Sequence, residues 1–499
     1  MPGLGEQKAA TGVPALDDIL GSGLNRGHMY LLEGEPGAGK TTLALQFLLD
    51  GVKAGEPTLY VTLSESADEL RYVAASHGWD LTGFEIMELS TLEERHLLEK
   101  QYTVFDPADV ELSDVISRLR EHVERLKPKR IALDSLSEVK LLARDSLRFR
   151  REILVLKQYF ISQGSTVLLL DDRVVGANEG EIQSLVHGVI RLERLSNEFG
   201  AERRRLSITK MRGSRYRGGF HDYRIETGGL AIFPRLVASE HRRPFVPMGL
   251  LSAIPNLDAL LGGGLEQGTS TLVIGPAGTG KSTIVTTYAL AAAARGTKAA
   301  LYLFDENIGT LIARCNGLEL PLQECLDSGA ITAQQIDPAE MGPGEFIALV
   351  RGAVENEGVG VVVLDSLIGL LNAMPEEKML MTQLHELLSY LNQMGVTTLM
   401  TLVQHGLVGP MKSPSDLSYL ADTLLLLRYF EFQGEVRQAL SVLKKRTGAH
   451  ERTIREMTIA KGGLQVGAAL HDFEGVLTGL PRYVGLNAPL MQQQEASNA

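Results

Sequence analysis

The chain has only two cysteines among 499 residues, Cys315 and Cys325. Two are too few for a disulfide framework, and no His or Cys flanks them at zinc-ligand spacing. Disulfide scaffolds and zinc modules are therefore excluded, and free thiols in a reducing cytoplasm are the expectation. Long apolar runs are missing too. No stretch approaches the roughly 18 uninterrupted apolar residues of a membrane span. Residues 1–8 lack the apolar segment of a signal peptide, so the expected location is cytoplasmic, with no membrane partner. Nor is there an excess of positive charge. The formal net charge of −12 argues against a protein that coats nucleic acid, although a local basic groove stays compatible with it. What remains is a soluble globular composition, 44% hydrophobic and 22% charged. At this length it suggests two to four domains.

Against these absences, two stretches stand out. Gly34-Glu35-Pro36-Gly37-Ala38-Gly39-Lys40-Thr41 and Gly275-Pro276-Ala277-Gly278-Thr279-Gly280-Lys281-Ser282 both satisfy G-x-x-x-x-G-K-[ST]. A predicted buried strand precedes each, at 29–32 and 270–274. A predicted helix follows each, opening at Thr42 and Thr283. Strand, glycine-rich loop and helix is the context that makes the pattern a phosphate cradle. Backbone N–H groups curl around phosphate, and the helix N-terminus adds partial positive charge. Lys40 and Lys281 would reach the β- and γ-phosphates, and the hydroxyls of Thr41 and Ser282 would ligate Mg²⁺. ATP is thus the expected substrate and Mg²⁺ the cofactor. The expected nucleotide contacts are Gly34, Gly37, Ala38, Gly39, Lys40, Thr41 and Thr42, repeated as Gly275, Gly278, Thr279, Gly280, Lys281, Ser282 and Thr283.

The two loops belong to a longer repeat. Residues 11–24 align without gaps on residues 252–265, and both this block and the P-loop lysines are displaced by 241 positions. Downstream, 58–63 matches 299–304, 130–135 matches 361–366, and 165–170 matches 396–401. Amphipathic helices are expected at 146–161 and 376–394, and later strands at 205–210 and 438–444. Continuous apolar strands alternating with amphipathic helices predict an α/β fold, a mostly parallel sheet covered on both faces. The polar, proline-bearing stretch 240–247 reads as a linker. The expected organisation is a domain over 1–240, its copy over 241–485, and a flexible tail over 486–499.

Each copy then supplies acids at strand ends. Asp134 and Asp365 close short apolar runs, 131–133 and 361–364, as a Walker B carboxylate beside Mg²⁺ would. The second matched strand ends at Ser64-Glu65 in one copy and Asp305-Glu306 in the other. Glu65, Asp305 and Glu306 are accordingly the candidate catalytic bases. Basic residues recur toward each copy's end, Lys210 and Arg212 in one and Lys444 and Arg446 in the other. They could be solvated surface, nucleic-acid contacts, or fingers reaching a neighbour's nucleotide. Arg203-Arg204-Arg205 with Arg215-Tyr216-Arg217 is the best nucleic-acid candidate, though a charged subunit rim explains it equally well.

Two tandem P-loop domains, each opened by [VI]-P-x-L-D-x-[IL]-L-G-x-G-L and each carrying L-D-S-L at Walker B, resemble the KaiC-like branch of RecA-type ATPases. The stretches 422–427 and 451–456 are also similar to that family's second domain. The resemblance spans about residues 10–480. It implies two tandem RecA-like P-loop NTPase domains and a homohexameric double ring with ATP bound between subunits. Lys210, Arg212, Lys444 and Arg446 would then reach across to the neighbouring nucleotide. It further implies slow ATP hydrolysis, Ser/Thr autophosphorylation in the second domain, and signalling or circadian-type timing with a KaiB-like or histidine-kinase partner. The family's phosphorylated Ser-Thr pair falls on Ser418-Tyr419, so Ser418 is the candidate phosphosite and tyrosine stands for the threonine. The family's glutamate pairs are Ser64-Glu65 and Asp305-Glu306 here. Two other readings remain open, a RecA- or DnaB-type DNA-dependent ATPase and a nucleotide-gated scaffold for a signalling kinase.

Overall fold

A computed structural model describes residues 8–89, 107–143, 145–173, 180–195, 200–372, 377–404, 418–476 and 482–485. The tail expected over 486–499 lies outside the described residues. The chain divides into two units, Met1–Arg235 and Leu236–Ala499. Among the described residues, no helix is long and apolar enough to cross a membrane.

In each unit nine of the described strands form one sheet, and the remaining short strands pair two by two. In the first its order is Gly229–Phe233, Phe220–Glu226, Arg203–Met211, Gly188–Leu195, Met29–Gly34, Thr166–Asp172, Arg130–Asp134, Thr58–Thr62, Glu85–Glu88. The six strands from Gly188–Leu195 to Glu85–Glu88 run parallel. The P-loop strand Met29–Gly34 is buried along its whole length, which is why it reads as an unbroken run instead of an alternating one. The sheet departs from the parallel expectation at one edge, where Arg203–Met211, Phe220–Glu226 and Gly229–Phe233 join antiparallel. The cause is connection length. A two-residue turn between Glu226 and Gly229 can return a strand only antiparallel, whereas parallel neighbours need a crossover.

The second unit repeats this plan. Its order is Ile331–Gln335, Ala299–Leu303, Val361–Asp365, Thr397–Val403, Ser270–Gly275, Thr423–Phe432, Glu435–Lys445, Ile454–Ala460, Gly463–Ala469. Even the smallest pairing recurs: Lys8–Ala9 with Leu24–Asn25, and Gly249–Leu250 with Leu265–Glu266. Each sheet separates two apolar clusters, one per face. The P-loop helices Lys40–Lys53 and Lys281–Ala294 pack on one face, and the P-loop lysine is the first residue of each.

The segment read as a linker, 240–247, and the residues just before it are anchored on the second unit. Leu236 and Ala238, expected in the first domain, join its core, and Ala238 N–H donates to Glu386 Oε2 at 3.1 Å. Phe245 packs against Gly268 and Gly395, where a methyl group would come within 2.5 Å and 2.7 Å of its ring. The prolines and charges of this segment mask its apolar anchors in the sequence.

Candidate nucleotide sites

The parallel topology brings the C-terminal strand ends of each sheet to one edge, and the P-loops sit there. Gly39 and Gly280 cap the helices in the left-handed region, at φ 91° and 93°. A methyl group on either would also collide with an isoleucine, Ile225 at 2.8 Å or Ile459 at 2.4 Å. Only glycine fits there, on both steric and backbone grounds.

In the first unit, Lys40 Nζ is buried and donates to the carbonyls of Gly34 (2.9 Å) and Glu35 (3.1 Å). It also pairs with Asp172 Oδ1 at 2.7 Å. Thr41 Oγ1 donates to Asp134 Oδ2 at 3.3 Å, and Tyr60 OH donates to the same oxygen at 2.6 Å. Burial raises the Asp134 pKa, opposed by the Tyr60 bond and the Lys40 charge. Glu65 stands at the end of Thr58–Thr62, its N–H donating to Thr62 Oγ1 at 2.9 Å. Its Oε2 is buried without a hydrogen-bond partner among the described residues. Burial, then the nearby charges of Asp134, Glu69 and Asp172, raise its pKa, and Lys40 opposes them. A partly desolvated carboxylate with raised pKa beside a phosphate cradle has the character of a general base.

The second unit builds the same frame with different neighbours. A cavity of about 850 Å³ is lined by Lys281, Ser282, Asp305, Glu306, Arg314 and Asp365 among others. That size lies within the range of small-ligand and cofactor sites. Lys281 Nζ donates to Pro276 O at 2.7 Å. Burial lowers its pKa to about 8, partly opposed by Asp365. Thr401 Oγ1 donates to Asp365 Oδ1, and Ser366 Oγ to Asp305 Oδ2. Glu306 is held by Arg314 through Oε2–Nη2 at 2.8 Å and Oε1–Nε at 3.3 Å. Among the described residues no group of three or more His, Cys, Asp or Glu is arranged around a cation. A hydroxyl beside one carboxylate, as at Thr41 and Asp134, instead suits Mg²⁺, which is usually completed by substrate phosphates and water.

The recurring basic residues bind their own chain's backbone. Lys210 Nζ donates to Gln183 O and Arg212 Nη2 to Ser184 O at 3.4 Å. Lys444 Nζ donates to the carbonyls of Ser418 (2.9 Å) and Ala421 (2.8 Å). Arg446 donates to Tyr419 O and Asp422 Oδ1, both at 3.1 Å. Both lysines lie on strands, Arg203–Met211 and Glu435–Lys445. The arginine cluster is paired internally: Arg205 with Glu193 (2.6 Å), Arg204 with Glu202 (3.0 Å), Arg217 with Asp18 (2.9 Å).

Sequence reasoning missed Tyr60, Asp172 and Arg314. Asp172 carried a signal, because 166–170 runs into Asp171-Asp172 much as a Walker B strand runs into its acid. Arg314 carried none, since its target lies eight residues back along the chain.

Comparison with known proteins bears on the whole chain. A family model described as "ATPase: KaiC" matches residues 9–237 and 250–471. The chain is 28% identical over 494 residues to the circadian clock oscillator protein KaiC of Prochlorococcus marinus (strain MIT 9313), covering 96% of both. It is 27% identical over 494 residues to the circadian clock protein KaiC3 of Synechocystis sp. (strain ATCC 27184 / PCC 6803 / Kazusa), covering 96% of this chain and 95% of that one. Against the circadian clock oscillator protein KaiC of Synechococcus elongatus it is 26% identical over 483 residues.

Proposed function

This chain is a member of the KaiC family of P-loop ATPases, and from that premise we propose that it binds Mg·ATP in both domains and hydrolyses it. The observation that carries the reading is the assembly, at one sheet edge, of Lys40 and Thr41 from the P-loop helix, Asp134 from the end of one strand and Glu65 from just past the end of another. Lys40 and Lys281 would hold the terminal phosphates, with the glycine loops shaping the cradle. Mg²⁺, held by Thr41 and Asp134 or by Ser282 and Asp365, would supply charge neutralisation on the phosphate oxygens.

Glu65 takes a proton from the attacking water, whose oxygen bonds to the γ-phosphorus. The bond from that phosphorus to the β–γ bridging oxygen breaks, and ADP and phosphate leave. In the second domain Asp305 and Glu306 stand at the corresponding strand end. Release of phosphate from ATP by the purified chain, and its loss when Lys40 and Lys281 are both replaced by alanine, tests this reading.

The family supports three finer proposals. The chain assembles as a homohexameric double ring with ATP between subunits, where Lys210, Arg212, Lys444 and Arg446 contribute across the boundary. The second domain phosphorylates Ser418. The assembly serves signalling or timing, as the circadian clock names of its relatives suggest, and it works with a KaiB-like protein or a histidine kinase. Sedimentation with and without Mg·ATP tests the ring. A DNA-dependent motor has weaker support, because Arg204, Arg205 and Arg217 already face acids of their own domain.

A further inference from the structure

We propose that the two nucleotide sites are restrained at opposite steps. In the first domain Asp172 competes with the incoming γ-phosphate for Lys40. In the second, Arg314 withdraws Glu306 from the reacting water. The inference rests on the ATPase reading above and assigns positioning roles to Asp172 and Arg314.

The first half follows from register. Gly34 lies opposite Asp172 in one sheet and Gly275 opposite Val403 in the other. A carboxylate thus stands 2.7 Å from Lys40 where the copy carries a valine. Among the described residues Lys281 has no carboxylate within ion-pair range. An ammonium that already holds a carboxylate must exchange it for phosphate. The displaced Asp172 is then left near a triphosphate of the same sign, so the net gain from binding is smaller than at Lys281.

The second half follows from the matched helices Ala67–Ser76 and Ile308–Gly317. Arg314 occupies the position that Val73 holds in the first copy, 241 places earlier. Its guanidinium engages both oxygens of Glu306, and Nη1 also approaches Thr283 Oγ1 at 3.4 Å. A carboxylate with both oxygens taken by a guanidinium fork has neither well placed to accept a proton from water. Glu65, whose matched helix carries Val73 where the copy has Arg314, keeps Oε2 without a partner among the described residues. Asp305, bonded by Ser366, is left as the carboxylate that serves water in the second domain.

The two sites can be read separately in full-length chains, the first in a Lys281→Ala background and the second in a Lys40→Ala background, by phosphate release against ATP concentration. Asp172→Asn, which keeps shape, and Asp172→Val, which copies the other domain, are both expected to lower the first-site KM about tenfold. Arg314→Val is expected to raise the second-site kcat about tenfold, Arg314→Lys to give a smaller gain, and Glu306→Gln added to Arg314→Val to cancel the gain. A KM that rises or stays within twofold in both Asp172 variants overturns the proposal. So does a kcat that falls in Arg314→Val, or a gain that survives Glu306→Gln. If neither background releases phosphate, the ATPase reading itself fails, and this proposal with it.

Discussion

Thr41 Oγ1 lies 3.3 Å from Asp134 Oδ2, although 93 positions separate the two residues in sequence. The contact sets the hydroxyl proposed to hold Mg²⁺ beside the acid that ends the strand two places along the sheet from the P-loop strand, and it is the structural basis for proposing Mg²⁺ in the first site. Asp134→Asn keeps the hydrogen bond to Tyr60 but removes the charge. Phosphate release by the first site is expected to fall about 100-fold, the scale of several kcal/mol of lost charge stabilisation. Turnover measured in a Lys281→Ala chain across a Mg²⁺ titration checks it. An unchanged rate would separate Asp134 from the metal.

Two buried groups of the first domain should give stability slopes of opposite sign. Burial, partly offset by Ser137 and Lys140, pushes the Asp171 carboxyl up to about 6. The folded chain therefore holds that proton more tightly than the unfolded one, and stability falls as pH rises from about 4 to 6. Asp171→Leu, the residue at 402 in the copy, should be more stable than the parent above pH 6. The difference should reach no more than about 3 kcal/mol and shrink toward pH 4. His221 is pulled down to about 4, chiefly by burial. Its Nε2–H donates to Arg217 O at 3.0 Å and its Nδ1 accepts from Arg235 N–H at 2.9 Å, so the ring is held neutral. Its contribution is full above about pH 6.5 and lost as pH falls toward 4, and His221→Gln should flatten that part of the profile. Denaturant unfolding from pH 4 to 7 reads both slopes, and slopes of the same sign would contradict the assignment.

Lys444 and Arg446 tie down the turn that carries the candidate phosphosite, through the carbonyls of Ser418, Tyr419 and Ala421 and the carboxylate of Asp422. Arg446→Ala should free two of these contacts and speed amide hydrogen exchange over 418–422 by about tenfold, with the P-loop strand Ser270–Gly275 unaffected. Exchange that stays slow would mean that other contacts hold the turn. Incubation with labelled ATP and peptide mapping then asks whether phosphate reaches Ser418, and the absence of label near that residue would remove the autokinase proposal.

The frame was legible because it is written in local patterns. Short apolar runs mark the buried strands, and the glycine loops mark the cradles. A displacement of 241 up to the second matched strand, and of 231 from the Walker B strand on, marks the second copy. What escaped depends on pairings between distant segments. Arg130, at the base of the Walker B strand, is 1% exposed yet charged. It is sustained by Glu56 at 2.6 Å, Asp50 at 3.0 Å and the carbonyl of Phe47 at 2.8 Å. The copy carries Val361, Thr297 and Ala291 at those positions, so the whole cluster was replaced together. Asp172 and Arg314 escaped for the same reason: each matters only through a partner that folding brings near. The antiparallel edge needed turn lengths that strand composition does not report.

Both copies are proposed to bind ATP. Equilibrium titration of the full chain with a non-hydrolysable ATP analogue and Mg²⁺ measures this as bound nucleotide per chain. Two per chain are expected, falling to one in Lys40→Ala, to one in Lys281→Ala, and to none in the double variant. A stoichiometry of one in the parent chain, or binding that survives both substitutions, would contradict the proposal.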